Sequence, residues 1–297
     1  MHSPIINAMT VDVEDYFHVS AFENVIQPSD WSSCKPTVDY NTRRLIDLFD
    51  QYNIKGTFFI LGWVAEAFPE LVRDIAEKGH EIASHGTNHR RASTQTREEL
   101  KLDITKSIDI LEQSTGNKIL GYRAPSFSIG KSNEWAYELL ADLGLLYSSS
   151  TYPVVHDLYG TPEWPRFVHK RKEGIIEIPI PTIRSKDINT GIGGGGYFRL
   201  YPYFLSKKRI QKFHAEEKQP YSFYFHPWEI DPNQPKVKGA SFKSKVRHYI
   251  NLSRMENKIE KLLIDFNWST MKDVYLDGND INSKIFSNQS NNNELGL

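Results

Sequence analysis

The chain has 297 residues, of which 39% are hydrophobic and 12% aromatic, which is typical of a globular protein. Its 36 basic and 37 acidic residues give a formal net charge of -1, so composition provides no basic surface of the kind that binds nucleic acid. We therefore expect no nucleic-acid partner. The single cysteine, Cys34, excludes an internal disulfide and fits a reducing compartment.

The N-terminal sequence MHSPIINAMTVDVED has no basic region followed by an apolar run, so it does not resemble a secretory signal. No later segment approaches the ~18 to 20 apolar residues that a membrane-spanning helix needs. We therefore predict a cytoplasmic protein without a transmembrane segment.

Short apolar segments alternate with segments of helical period. We predict strands near residues 5–13, 56–61, 80–84, 119–123, 146–149, 175–178 and 221–225, and helices near 40–52, 69–78, 96–114, 133–143 and 255–266. A further strand-like segment follows at 268–276. The alternation predicts an α/β fold with a parallel sheet, either a barrel or a doubly wound sheet. We predict one domain through residue 276 and a disordered, asparagine-rich tail over 277–297.

A glycine-rich segment, GIGGGGYFRLYP over residues 191–202, interrupts this alternation. It lacks the helix start and the Lys-Ser/Thr pair of a phosphate-binding loop. We interpret its glycines as positions where the backbone closely approaches other backbone or a ligand.

Polar side chains follow the predicted strands at the ends where parallel sheets carry their sites. The first strand ends in VDVED, with Asp12, Glu14 and Asp15, and SHGTNHR places His85 and His89 four residues apart after another strand. A histidine pair at this spacing can close on one metal ion but is weak support alone. Three clustered carboxylates repel one another unless a cation or an arginine offsets them.

Two further strand ends carry Arg123, in GYRAPSF, and His226, in FYFHPWE. Taken singly, the arginine fits a surface ion pair and the histidine fits a hydrogen-bonded core residue. Chance poorly explains carboxylates, histidines and an arginine at the same ends of four strands. The pattern therefore indicates one site at this edge of the sheet.

The ordered motifs TVDVED, GTFFILG, HEIASHGTNH, GYRAPSF and FYFHPWE resemble those of the polysaccharide deacetylases, the NodB-type carbohydrate esterase family 4. The segments GGGGYFRLYP and DVEDYF resemble the exopolysaccharide-associated, PEP-CTERM-type subgroup, whose members carry an extra C-terminal region, here from about residue 230. The resemblance implies a distorted (β/α)7-type barrel. It also implies a hydrolase that removes N-acetyl groups from amino sugars.

The resemblance makes His85 and His89 metal ligands and assigns a third ligand to the first motif. Most of the family has two adjacent aspartates there, whereas this chain has Asp12, Glu14 and Asp15. One alignment makes Asp12 the general base and Glu14 the ligand, and the other makes Asp15 the ligand and Glu14 the base. We favour Asp12 as the base and leave the third ligand open between Glu14 and Asp15. Zinc is the expected ion, although cobalt, nickel or iron would fit the same donors.

The same resemblance makes Arg123 the residue that orients the base and His226 the general acid. The expected substrate is an N-acetylated glycan or its lipid-linked precursor, and membrane-bound glycan assembly proteins are an implied partner. Aromatic and other residues beside the motifs are candidates for substrate contact, although core packing or a loop-anchoring ion pair explains them as well. These candidates are Tyr16, Pro125, Tyr197, Arg199 and Trp228.

Two alternative functions fit the same motifs. One is an allantoinase-like hydrolase of a small amide on the same fold. The other is a catalytically silent module that binds glycan, which the presence of Asp12, Arg123 and His226 disfavours.

Overall fold

The computed structural model describes residues 5–156 and 160–277. Its strands are β1 (Ile6–Val13), β2 (Thr57–Ile60), β3 (Glu81–Ser84), β4 (Gly121–Tyr122), β5 (Tyr147–Ser148), β6 (His169–Lys170), β7 (Ile176–Glu177), β8 (Thr182–Ser185), β9 (Ile188–Gly191), β10 (Ser222–Phe225) and β11 (Asn267–Ser269). Its α-helices are α1 (Val38–Gln51), α2 (Gly62–Ala67), α3 (Pro69–Glu77), α4 (Arg97–Thr115), α5 (Ala136–Asp142), α6 (Gly195–Leu200), α7 (Tyr203–Glu217), α8 (Phe242–Tyr249), α9 (Met255–Asp265) and α10 (Met271–Tyr275).

The strands form a curled parallel sheet in the order β10-β1-β2-β3-β4-β5-β7. β6 is antiparallel to β7 at one edge of the sheet. β11 pairs in parallel with the first three residues of β1, Ile6 to Ala8. Residues 7–13 of β1 and all of β2 and β10 are buried, as expected for strands covered on both faces. The predicted α/β fold and distorted (β/α)7-type barrel are confirmed.

The glycine-rich segment completes the ring between β7 and β10. The amide of Ile192 donates to the carbonyl of Pro181, four residues after β7, and the amide of Tyr224 donates to the carbonyl of Gly193 at 2.8 Å. The next residue, Gly194, has φ +134, and a Cβ there would lie 2.0 Å from the carbonyl oxygen of Tyr224. Only glycine permits this approach of backbone to backbone, as the sequence pattern predicted.

Some elements differ from the sequence predictions. The segment predicted as strand-like over 268–276 is extended only over Asn267–Ser269 and then forms helix α10, which Thr270 caps by accepting a hydrogen bond from the amide of Asp273. Helices α2, α6, α7 and α8 and the β8–β9 hairpin were not predicted. The long helix α7 buries only Ser206, Ile210 and Phe213, so its apolar period is weak.

Within the described ranges, no helix combines the length and apolarity needed to cross a bilayer. The predicted tail lies outside the described residues except for Asp277. The single-domain organisation stays a prediction.

Candidate active site and metal centre

Four parallel strands deliver the polar side chains to one end of the barrel. Asp12 is the penultimate residue of β1, and His85 directly follows β3. Arg123 directly follows β4, and His226 directly follows β10. β1 lies between β10 and β2, so these carboxyl ends are close in space, and the expected grouping at one sheet edge is what the structure shows.

Glu14, His85 and His89 form a compact donor group. One ligand atom from each lies within 4.8 Å of the others. Oε2 of Glu14 is 2.7 Å from Nε2 of His89, and no donor among the described residues makes a hydrogen bond of normal geometry to that buried oxygen. One carboxylate and two imidazoles are a common donor set for a catalytic divalent ion. The residues present therefore fit a metal of the kind that the sequence predicted.

The ring of His85 is oriented by the backbone of the next strand. Its Nδ1 lies 2.8 Å from the carbonyl oxygen of Arg123, so Nδ1 carries the hydrogen and Nε2 keeps its lone pair for a metal. Burial lowers the pKa of His85 to about 4, an effect that Asp12 only partly offsets. The imidazole is consequently neutral at neutral pH, which is the state that binds metals.

Asp103 of α4 holds the loop that carries the two histidines. Its carboxylate accepts hydrogen bonds from the amides of Thr87, at 3.0 Å, and Asn88, at 3.3 Å. Gly86 has φ +75, and a Cβ there would lie 2.6 Å from Oδ2 of Asp103. His89 itself has φ +50, in the left-handed region that is uncommon for residues other than glycine. The loop conformation is thus determined by contacts outside the donor group.

Asp15 is not brought into the donor group, in contrast to the alternative in which it was the third ligand. Its two carboxylate oxygens accept hydrogen bonds from the amides of Tyr16, Thr37 and Val38 and from the Thr37 hydroxyl. Burial raises the pKa of Asp15, and these hydrogen bonds oppose that rise. Its carboxylate therefore anchors the start of α1, where unpaired amides favour an anion.

Asp12 and Arg123 form a buried ion pair. Nη1 of Arg123 lies 2.5 Å from Oδ1 of Asp12 and 2.9 Å from Oγ1 of Thr10. Its other nitrogens donate to the hydroxyl and carbonyl of Ser149, and its guanidinium lies over the ring of Phe59. These contacts fix the guanidinium, so Oδ1 of Asp12 is fixed as well. Oδ2 of Asp12 is the oxygen that faces His226, 3.9 Å from Nε2 of that ring.

His226 lies beside Asp12 and Glu14 and has its own carboxylate partner. Its Nδ1 is 2.8 Å from Oε1 of Glu229, and its Nε2 is 3.4 Å from Oε1 of Glu14. Burial lowers the pKa of His226, but Glu14, Glu229 and Asp12 outweigh it and raise the value to about 9. The imidazole is therefore protonated at neutral pH and can donate a proton.

The carboxylate of Glu14 is stabilised in its ionised form by the surrounding rings. Burial opposes ionisation of Glu14, but the nearby imidazoles of His89, His226 and His85 outweigh it and lower the pKa below its ordinary range. The ionised carboxylate is the form of Glu14 that can bind a metal.

A cavity of about 690 Å³ opens onto Asp12, Glu14, His85, His89 and His226. This volume falls in the ordinary range for sites that hold small-molecule ligands. Three of the five predicted substrate contacts line it, namely Tyr197, Arg199 and Trp228.

Tyr16 and Pro125, the other two predicted contacts, are buried and do not line the cavity. The side chain of Tyr16 packs in an aromatic cluster instead. Arg199 lines the cavity, but its Nε lies 2.6 Å from Oε2 of Glu229, so its guanidinium anchors a loop. A loop-anchoring ion pair is one of the two roles that the sequence allows for Arg199. Trp228 stacks on His226 with the ring planes 17° apart, which leaves Tyr197 as the more exposed aromatic.

Sequence reasoning missed Glu229, Asp103 and Ser149. The spacing His226-Pro-Trp-Glu229 was a detectable signal, because a glutamate three residues after a turn start can reach back to that residue. The amide of His226 does donate to Oε1 of Glu229 at 3.1 Å. Asp103 and Ser149 carry no local signal, since each acts on a residue more than ten positions away.

Two family models match adjacent parts of the chain. The one described as "Polysaccharide deacetylase" matches residues 34–148, and "Domain of unknown function (DUF3473)" matches residues 149–276. A peptidoglycan-N-acetylglucosamine deacetylase of Bacillus cereus is 38% identical over 86 residues, which are 29% of each chain. A peptidoglycan deacetylase of Helicobacter pylori is 31% identical over 107 residues, 36% of each chain. The chain thus spans about a third of these relatives.

Solved structures show the same fold. A protein described as a polysaccharide deacetylase of Mycobacterium smegmatis matches with a TM-score of 0.59 and 18% identity, over 92% of this chain and 91% of the other. The Puue allantoinase matches with a TM-score of 0.56 and 17% identity, over 91% and 88%. Named deacetylases of carbohydrate esterase family 4 are hydrolases that act on C–N bonds. Residues 34–148 of the chain thus match the polysaccharide deacetylase family and are followed directly by the DUF3473 region.

Proposed function

We propose that this chain is a metal-dependent hydrolase that removes N-acetyl groups from amino sugars in a glycan. The observation that carries the proposal is the placement of two proton-transfer groups beside the donor group, each held by an oppositely charged partner. Arg123 fixes Asp12, Glu229 fixes His226, and Oδ2 of Asp12 lies 3.9 Å from Nε2 of His226. Amide hydrolysis needs a base and an acid in this arrangement.

Glu14, His85 and His89 would hold the ion, with zinc the expected metal and cobalt, nickel or iron compatible with the same donors. A divalent ion bound there supplies Lewis acidity toward the acetyl carbonyl and lowers the pKa of a coordinated water. Asp15 has no part in this assignment, because its oxygens are occupied at the start of α1.

The protein side chains then complete the reaction. Asp12 accepts a proton from the attacking water through Oδ2, the oxygen that Arg123 leaves facing the cavity. The new C–O bond forms as the carbonyl π bond opens; when the carbonyl then re-forms, the amide C–N bond breaks and Nε2 of His226 donates a proton to the departing nitrogen. The products are acetate and a free amine. Proton transfer from Asp12 to His226 between turnovers restores both groups.

A sugar substrate is supported by the cavity and by the relatives. A volume of about 690 Å³ exceeds what a small amide needs, and Tyr197 offers a half-exposed ring at the wall for stacking on a sugar. Both relatives described above are named as peptidoglycan deacetylases. These observations support an N-acetylated glycan over the small-amide alternative.

The test is acetate release from N-acetylated chitooligosaccharides and from peptidoglycan, with zinc-loaded wild type and His89→Ala. We expect acetate from at least one glycan with wild type and none with the variant. Absence of acetate from every N-acetylated glycan would refute the proposal, and hydrolysis of allantoin instead would support the small-amide alternative. Metal binding without any amide hydrolysis would support the glycan-binding module.

A further inference from the structure

The mouth of the cavity is formed by exposed apolar side chains from two helices. Tyr197 and Leu200 of α6 are 42% and 50% exposed, and Phe242 and Val246 of α8 are 83% and 45% exposed. All four line the same cavity, so they form one continuous surface, which we call the apolar rim. Contiguous exposed apolar surface commonly marks a contact with a partner or a membrane.

The segment around α8 is strongly basic. Residues 232–255 contain six basic residues and no acidic one: Lys236, Lys238, Lys243, Lys245, Arg247 and Arg254. Within residues 5–156 and 160–277, no carboxylate forms an ion pair with Lys238, Lys243 or Lys245. Their charge is therefore available to an anionic partner, although the chain as a whole has a net charge of -1.

Helix α8 is firmly attached on its opposite face. His248 is buried, stacks on Trp228 with the rings 4.2 Å apart, and its Nε2 lies 2.7 Å from Oε1 of Gln234. The guanidinium of Arg199 donates to the carbonyl oxygens of Arg247 and His248 at the last turn. Phe242 and Val246 are four residues apart and so project from the same side of the helix. The helix thus presents phenylalanine, valine and lysines on a rigid support.

We propose that the apolar rim and the basic residues of α8 form a docking surface for an anionic lipid bilayer. An interfacial helix carries bulky apolar residues beside lysine and arginine, which contact acyl chains and anionic headgroups together. A second copy of this chain is disfavoured as the occupant, because a symmetric contact would place like charges together. A soluble anionic polymer would use the lysines but not Phe242, whose side chain it would leave in water.

Docking in this orientation turns the mouth of the cavity toward the bilayer. Resting on the proposed function, this placement would select N-acetylated glycans that are held at a lipid surface over free oligosaccharides. Binding to vesicles is independent of catalysis, so the docking surface and the activity are tested separately.

The experiment is flotation of the zinc-loaded full chain with phosphatidylcholine vesicles that contain either none or about a third of phosphatidylglycerol. The test variant is Phe242→Ser/Lys243→Gln. The control is Lys101→Gln/Leu102→Ser, which changes an adjacent basic and apolar pair on α4, where Leu102 is 72% exposed. Because Phe242 and Leu102 are both exposed, neither variant disturbs the core, and circular dichroism verifies this.

We expect wild type and control to bind the anionic vesicles and to dissociate at high salt. The test variant should bind these vesicles at least about 10-fold more weakly than wild type. Equal binding of the two variants, or no binding of wild type to anionic vesicles, would overturn the proposal. Binding to soluble alginate without binding to vesicles would also overturn the proposal and would indicate an anionic polymer as the partner.

Discussion

Nδ1 of His226 and Oε1 of Glu229 lie 2.8 Å apart in a turn that immediately follows β10, and the same oxygen accepts a hydrogen bond from the amide of His226. Oε2 of Glu229 faces Nε of Arg199 at 2.6 Å. Glu229 therefore joins the proposed general acid to the helix that forms one side of the cavity. Its carboxylate orients the imidazole and, together with Glu14, favours the protonated form.

Replacing Glu229 by glutamine should shift the pH dependence of activity. Glu229 favours protonated His226, whose pKa is about 9, and an acid is active only below its pKa. Removing the negative charge lowers that pKa, so the alkaline limb of kcat/KM should move down by about 1 pH unit. The measurement is acetate release against pH. The control is Glu23→Gln, which changes a surface carboxylate paired with Arg91 and should leave the alkaline limb of kcat/KM in place. Equal pH profiles for the two variants would contradict the role of Glu229 in favouring protonated His226.

Substitutions of the adjacent residues Glu14 and Asp15 should have different effects, one on zinc affinity and the other on the free energy of unfolding. Glu14→Gln removes a proposed ligand, so zinc affinity measured by calorimetric titration should fall at least about 100-fold. Asp15→Asn weakens several buried hydrogen bonds at the start of α1, so unfolding free energy should fall by about 1–3 kcal/mol with zinc affinity retained. Loss of zinc affinity in Asp15→Asn alone would reverse the assignment.

Asp12→Asn should uncouple catalysis from metal binding. The amide keeps the shape of the carboxylate but cannot accept the proton, so kcat should fall about 10²–10⁴-fold. Zinc affinity should remain near that of wild type, because Asp12 is outside the donor group of Glu14, His85 and His89. If Asp12→Asn retains turnover while binding zinc normally, another group is the base.

His80 should make the protein less stable as pH falls from 6.5 to 4. Burial, together with Lys55, lowers its pKa from 6.5 to about 4, so unfolding in this range takes up a proton. The loss should reach roughly 3 kcal/mol at pH 4. In His80→Asn the amide oxygen can replace Nδ1 as the acceptor for the Gly56 amide, so denaturant unfolding should show a flatter pH dependence. Identical slopes for the two proteins would exclude this contribution.

Two glycines of the same segment should respond in opposite directions to alanine. Gly194→Ala meets the carbonyl of Tyr224 and a φ of +134, so we expect a loss of about 2 kcal/mol or more in thermal unfolding. Gly196 lies inside α6, and a Cβ there has its nearest neighbour at 3.9 Å, so Gly196→Ala should be neutral or stabilising by up to about 1 kcal/mol. Tolerance of Gly194→Ala would mean that the segment is not held as the structure describes.

The sequence predicted the strand ends well because apolar runs and the polar residues after them are local features. The sequence did not decide whether Glu14 or Asp15 is the third metal ligand. Side chains alternate between the two faces only inside a strand, and β1 ends at Val13. Beyond it, the amide of Glu14 donates back to the carbonyl of Asp12, and the chain turns. Long-range partners such as Asp103 could not be predicted from the sequence, because their positions depend on how α4 packs on β3.

The boundary between the two family regions, after residue 148, does not coincide with a boundary in the sheet. β10, from the second region, hydrogen-bonds along β1, which lies upstream of both matched regions. A fragment that stops at residue 148 would leave one side of β1 without its partner and would lack His226. The first region alone would thus contain the candidate ligands His85 and His89 but not His226, the proposed proton donor, so the candidate site needs side chains from both regions.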